Sequence, residues 1–358
     1  MARICGDGFA LGGVQAVEQV GNIHRRILRW PARYPASLRL PHNRAMRVLP
    51  ALWLLFACFL PAWTMPAGAQ ERIVRAGDTA LVIDVEGVDD PARRAMLQDW
   101  AEEAARALLT SARRFPLPRA TVKIMPSDER DGSPVPWGQT QRRDGVSVLL
   151  YVRRDATLAE LRADWTAVHE FSHLLHPWLG RDGRWMAEGL ASYYQNVLRA
   201  RAGLMPADEA WRRLDAGFGR GRRATDPGTP LFSARGRGAT MRIYWAGAAY
   251  WLQADLALRA RGSSLDAVLA AYARCCLSPA TESSPLAFAR ALDQIDGQGL
   301  FERLYREAAA ATAFPDLSAA YTTLGLSKTA DGLRLSRDDA PAQLRAAITR
   351  PALGSQSK

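Results

Sequence analysis

His169-Glu170-Phe171-Ser172-His173 constrains this chain more than any other stretch. Two imidazoles four residues apart lie close enough to converge on one ion when they share a helix face, so the pattern points to helical backbone with both rings on one side. Upstream, Thr157 and Glu160 have the spacing of a capping box, and downstream Pro177 stops a helix. The spacing therefore predicts one helix from about Thr157 to His176. Glu170 is turned about 100° from His169 around that helix. It can reach a water held between the two rings without ligating whatever holds it.

Paired imidazoles of this kind suit zinc, which in a catalytic site takes three protein ligands and keeps a fourth position open. Beyond residue 69 the chain has three histidines, His169, His173 and His176, all within eight residues; His24 and His42 precede them. A third ligand at the sixth position after His173 is excluded, since residue 179 is Leu. The other common solution is a Glu from the following helix. Trp185-Met186-Ala187-Glu188-Gly189-Leu190-Ala191-Ser192-Tyr193-Tyr194 supplies it, with fourteen residues between His173 and Glu188. A carboxylate on so apolar a segment is costly to bury unless it is paired or metal-bound. His176 stands as an alternative third ligand, disfavoured by the proline that follows it. The reading is one Zn2+ per chain on His169, His173 and Glu188, with Glu170 as general base toward a water made acidic by the ion.

The formal charge of +11 suggests a polyanion partner until it is located. Residues 1–69 carry eight Arg against Asp7 and Glu18, which accounts for more than half of it. The remainder is spread along the chain, so no nucleic-acid partner is expected. An apolar run from Val48 to Trp63 follows Arg47, is short for a membrane span, and precedes Ala67-Gly68-Ala69. It reads as a secretory signal peptide starting at Met46, cleaved near Gln70 to leave no stable membrane span. The protein is then expected to be exported, periplasmic or extracellular. After cleavage only Cys275 and Cys276 remain, read as small core residues rather than a strained vicinal disulfide.

Leu81–Val85, Ala120–Met125 and Val146–Val152 read as strands, the last two separated by a Gly/Pro/Asp-rich loop. Asp90 caps a helix running to about Arg114 with Met96, Trp100, Ala104 and Leu108 on its apolar faces. After Gly180-Arg181-Asp182-Gly183, helical periodicity continues to the end. Residues 212–242, with eight Arg against two Asp and many Gly, read as a solvated loop between two helices. The fold class is α+β: a leader over residues 1–69, a small mixed sheet with helices over 70–180, an all-helical lobe over 181–330 and a C-terminal tail over 331–358.

His-Glu-Phe-Ser-His followed by Trp-x-x-Glu-Gly-x-x-Ser-Tyr-Tyr resembles the gluzincin peptidases, and most of all the M61 glycyl aminopeptidase family. The similarity runs on through Arg199–Leu204, Tyr244–Ala248, Asp255–Arg259 and Ser264–Asp266, and faintly through 301–326, covering roughly residues 138–326. The resemblance implies a zincin-like (thermolysin-like) two-lobed catalytic domain, a peptide or protein substrate, and Tyr244 as the donor that stabilises the oxyanion. The chain departs from the family at two places. Gly138-Gln139-Thr140-Gln141 lacks the carboxylate that holds a substrate's free amino terminus, and Gln195 stands where the family has a Glu behind the metal ligands. Endopeptidase and aminopeptidase action both stay open. A catalytically silent, zinc-bound scaffold that binds peptides or envelope partners is the alternative.

Overall fold

The computed structural model describes residues 71–142 and 145–350. The expected leader and its cleavage site lie outside the described residues.

Strands β1 (Arg72–Ala76), β2 (Thr79–Val85), β3 (Arg119–Ser127), β4 (Trp137–Gln141) and β5 (Ser147–Arg153) form one mixed sheet in the order β1-β2-β3-β5-β4. The three central strands run parallel, and β1 and β4 flank them antiparallel. Strand β2 is covered on both faces, burying Leu81, Val82 and Ile83, whereas β3 and β5 alternate, burying Val122, Ile124, Val148 and Leu150 on one face and leaving the other partly open. Helix α1 (Pro91–Ala112) starts where Asp90 accepts a hydrogen bond from the Ala92 amide at 3.0 Å. It buries Trp100, Ala104 and Leu108 as its spacing predicts.

The expected helix from Thr157 to His176 is three pieces. Helix α2 (Leu158–Ala163) has the predicted capping box. It stops at Asp164, whose carboxylate turns back to accept from the Thr166 amide at 2.7 Å and so opens a second helix, α3 (Thr166–Ser172). A side chain that bonds its own neighbouring backbone competes with the helical ladder, and here it wins. The last turn, His173–Leu175, tightens to a 3-10 helix, and His176 leaves it extended, as a residue before proline must.

The helical lobe contains α4 (Arg184–Arg201), α5 (Ala207–Arg223), α6 (Thr240–Arg259), α7 (Leu265–Cys275), α8 (Pro285–Asp296), α9 (Leu300–Ala310) and α10 (Ser318–Thr323). Helical periodicity is interrupted by a hairpin of β6 (Leu326–Thr329) and β7 (Gly332–Leu335) before α11 (Asp339–Thr349), so the described part of the expected tail, residues 331–350, is a strand followed by a helix. Residues 212–242 are not one loop either. Most of α5 lies within them, burying Trp211, Leu214, Gly217, Phe218 and Gly221 along one face. Their glycines serve packing: a Cβ on Gly217 would stand 2.2 Å from the Trp245 ring, and one on Gly221 2.5 Å from Phe314. Arg242 is buried too, donating to the Thr229 and Ala311 carbonyls at 2.7 and 2.9 Å. Cys275 and Cys276 are exposed at the end of α7 and joined as a vicinal disulfide, which corrects their assignment to the core. Among the described residues no helix is long and apolar enough to cross a membrane.

One contact matters most for the site. Helices α4 and α6 cross at Gly189 and Gly247, where a Cβ on Gly247 would lie 1.9 Å from the Trp185 carbonyl oxygen and one on Gly189 2.3 Å from the Gly247 carbonyl carbon. Trp251 Nε1 then donates to the Met186 carbonyl at 2.8 Å across the same crossing. Gly247→Ala is expected to cost about 3 kcal/mol, because its obstacle is backbone and cannot rotate away. A urea titration with a lowered midpoint and unchanged slope is the expected result; a variant as stable as the parent would show that the crossing has slack.

Candidate active site

Helix α3 presents His169, Glu170 and His173 to the groove between edge strand β4 and helix α4. Strand β4 comes this close because Gly138 has no side chain: a Cβ there would meet Glu170 Cγ and Thr166 Cγ2 at 2.8 Å. Two residues along, Thr140 Oγ1 donates to the Glu170 carbonyl at 2.8 Å and lies 3.1 Å from Glu170 Oε2. From the opposite side α4 brings in Glu188, whose Oε2 is 3.3 Å from His169 Nε2 and 3.7 Å from His173 Nε2. The two imidazoles stand edge to face with centroids 5.0 Å apart. Helix α6 contributes Tyr244, whose ring stacks on His169 at 5.6 Å and which is hydrogen-bonded to Glu188. All five residues singled out from the sequence therefore meet in one place.

Each of these two imidazoles is braced from behind. His169 Nδ1 lies 2.7 Å from Gln195 Oε1, the amide contact the sequence allows at that position. His173 Nδ1 lies 2.9 Å from His176 Nε2, while His176 Nδ1 faces the Pro177 carbonyl at 2.7 Å.

Burial governs the charges. It lifts the Glu170 carboxyl to about 7, with Glu188 adding to the rise against the opposing pull of His169 and Thr140. Glu188 is half-buried, and although its desolvation pushes the other way, the hydrogen bond from His169 and the neighbouring positive charges hold it well below the ordinary carboxylate range. Burial alone would lower His169, but the hydrogen bond and charge of Glu188 and the charge of Glu170 outweigh it and leave that imidazole raised. Burial lowers His176 to about 4, helped by the Arg142 guanidinium, so its ring is neutral. Burial also pushes the Tyr244 phenol well up, and Glu188 pushes the same way, so it keeps its proton.

The donor set suits zinc. The Glu188 carboxylate oxygen stands 3.3 and 3.7 Å from the two imidazole nitrogens, close to the edge of a tetrahedron with metal bonds of about 2.0–2.1 Å. Two adjacent carboxylates, Glu170 buried and Glu188 half-buried, also call for a compensating positive charge. His169, Glu170 and His173 offer ligand atoms within 4.8 Å of one another. Glu170 is nevertheless the weaker candidate for ligand, because its Oε2 is engaged by Thr140 whereas Glu188 Oε2 faces both Nε2 atoms.

Two neighbours escaped the sequence reading. Arg142 donates through Nη2 to the carbonyls of both His173 and His176. Arg184, at the start of α4, lies 3.6 Å from Glu188 Oε1, with its guanidinium 6.0 Å from the Tyr244 ring. Neither belongs to a motif, and an Arg-rich composition hides them. The loop after α5 reaches the same region, since Arg235 pairs with Asp182 at 2.6 Å.

The sequence matches no family model and none of the curated proteins. The fold is similar to that of an aminopeptidase N family protein from Idiomarina loihiensis, with a TM-score of 0.50 at 14% identity, over 72% of this chain and 49% of the other. Lesser similarity extends to an M1 zinc metallopeptidase from Deinococcus radiodurans (TM-score 0.45, 15% identity, 69% of this chain and 52% of the other). It extends also to a yeast LTA4 hydrolase (TM-score 0.45, 9% identity, 71% and 43%). The chain spans about half the length of these proteins. At this level of identity what is shared is the fold, a mixed sheet with helices followed by a helical lobe.

Proposed function

We propose that this chain is an exported zinc-dependent peptidase of the gluzincin type, in which His169, His173 and Glu188 hold the ion and Glu170 is the general base. The observation that carries the reading is the convergence of His169 Nε2, His173 Nε2 and Glu188 Oε2, the first buried and the other two half-buried, beside the buried Glu170 carboxylate. Bound zinc would polarise a water and the scissile carbonyl. Glu170, lifted by burial to about 7, takes the proton from that water and passes it to the leaving amine. Thr140 fixes the carboxylate's rotation through its hydroxyl. Tyr244 keeps its proton and donates it in a hydrogen bond to the oxygen on which charge develops. The M61 resemblance supports the Tyr244 role, and the fold similarity supports a peptidase of this broader kind. Export rests on the leader sequence alone; the exported protein is expected to begin near Gln70, and an N-terminus that retains 48–63 would indicate a membrane anchor instead.

The deciding experiment is digestion of a diverse peptide library by zinc-free and zinc-loaded protein, read by mass spectrometry. Cuts that appear only with zinc support the reading. Stoichiometric zinc without cuts would leave the silent scaffold.

Substrate choice follows from β4. A buried ammonium with no carboxylate beside it carries a desolvation cost of several kcal/mol. The strand offers Gln139, Thr140 and Gln141, of which the first and last bond each other at 3.1 Å and Thr140 is taken by Glu170. Arg184 adds a positive charge near the Tyr244 ring. N-acetylated peptides are therefore expected to be cleaved at least as well as free ones, with internal cuts. The check is kcat/KM on matched peptides, and about a tenfold preference for the free amine, worth 1.4 kcal/mol, would overturn it.

A further inference from the structure

The peptidase reading gives His176 no task, yet both of its ring nitrogens are bound and the residue is buried. Its Nδ1 lies 2.7 Å from the Pro177 carbonyl oxygen, which can only accept, so that nitrogen carries a proton. In a neutral ring Nε2 is then bare. It lies 2.9 Å from His173 Nδ1, so the hydrogen between the two rings belongs to His173. A neutral His173 with its proton on Nδ1 has its lone pair on Nε2, the nitrogen that faces Glu188 Oε2 at 3.7 Å.

We propose that His176 is a positioning residue: through the Pro177 carbonyl and its own Nε2 it sets the tautomer and rotation of His173, so that Nε2 is the atom presented to the metal. The proposal rests on the metal-centre reading above. It gives a reason for the break in the helix. On a continued α-helix a residue three positions on is displaced by about 60°, whereas in a 3-10 turn the two side chains eclipse. The turn at His173–Leu175 brings the His176 ring against that of His173, with centroids 5.2 Å apart and planes at 83°. Pro177 forces His176 into extended backbone, at φ −134° and ψ 158°, and supplies the carbonyl that fixes its tautomer. Arg142 pins both ends of the turn by donating to the His173 and His176 carbonyls.

The same logic holds on the other ligand, where Gln195 accepts from His169. Both imidazoles thus have a neutral acceptor behind them, which raises their basicity less than a carboxylate does. A carboxylate introduced at residue 176 should tighten the metal, the opposite of what any core role for this histidine foresees.

The test uses the full chain and needs no substrate. Zinc affinity is measured at one fixed pH by competition with a chromophoric chelator for the parent, His176→Leu, His176→Gln and His176→Glu. Imidazole 15N shifts of the zinc-free proteins report each histidine's tautomer, and thermal melts report the fold. The parent should show His173 protonated on Nδ1. His176→Leu should weaken zinc about 10- to 100-fold and lose the single tautomer. His176→Gln, whose amide oxygen reaches about as far as Nε2, should recover most of the loss, and His176→Glu should bind tighter than His176→Gln. Unchanged affinity in His176→Leu overturns the proposal, and so does equal loss in the Leu, Gln and Glu variants, which would make His176 a ligand or a packing residue. If His176→Leu fails to fold, a parent His173 protonated on Nε2 overturns it alone. A parent that takes up no zinc sinks the metal-centre reading instead, and the tautomer measurement still decides this one.

Discussion

Zinc content is expected to collapse in Glu188→Ala and His173→Ala, from one ion per chain to a weakly held trace. Apparent zinc-binding free energies at closed protein sites reach about 10–16 kcal/mol. A three-ligand site shares that among its donors, so losing one should cost about 4 kcal/mol, roughly a thousandfold in Kd. The two variants test different elements. His173 stands at the C-terminal cap of α3, whereas Glu188 arrives on α4, and both point at the same spot only because the two helices are fixed against each other. Elemental analysis of the purified variants reads the result directly. Full zinc in both would remove the assigned site. Full zinc in Glu188→Ala together with loss in Glu170→Gln would move the third ligand to Glu170, whose oxygen lies in the same cluster.

The parts of this molecule that were readable in the sequence share one property: their signal is carried by burial. Strand β2 is a run of buried residues, β3 and β5 alternate buried aliphatic residues with partly exposed ones, and α1 buries Trp100, Ala104 and Leu108. Strands β1 and β4 escape because an edge strand leaves little hydrophobic trace. Arg72–Ala76 buries only Val74, and none of Trp137–Gln141 is fully buried. The helix break at Asp164 was invisible for another reason, since a side chain bonding its neighbour's amide leaves the apolar periodicity intact. Gly217 and Gly221 misled because close helix packing and loops draw on the same residue. In the site, the convergence of His169, Glu170, His173 and Glu188 was legible because the pattern that suggested a metal centre fixes both residue type and spacing. The contacts of Thr140 and Arg142 depend on how a strand lies across a helix, which no local pattern records. His176 fell between these cases: its proximity to His173 was plain, but its role depends on a turn type that only the backbone shows.

Turnover in Glu170→Gln is expected to fall by about a hundredfold or more while zinc and fold are retained, the loss typical of removing a general base. The substitution keeps the shape and one acceptor oxygen for Thr140 Oγ1, which now lies 3.1 Å from Oε2. It removes the carboxylate proposed to carry a proton from water to leaving amine. Burial raises this carboxyl above the ordinary carboxylate range, which helps it return the proton to the leaving amine after accepting it from water. The amide also takes away a buried negative charge, so stability should not suffer, and thermal melts should match the parent or exceed it. Because the lost interaction belongs to the reacting state rather than to substrate binding, kcat and kcat/KM should fall together with KM little changed. Steady-state kinetics on one good peptide, with zinc content measured on the same sample, is the check. A Glu170→Gln enzyme that turns over at the parent rate would mean another residue takes the proton, and one that arrives without zinc would make Glu170 a ligand rather than a base.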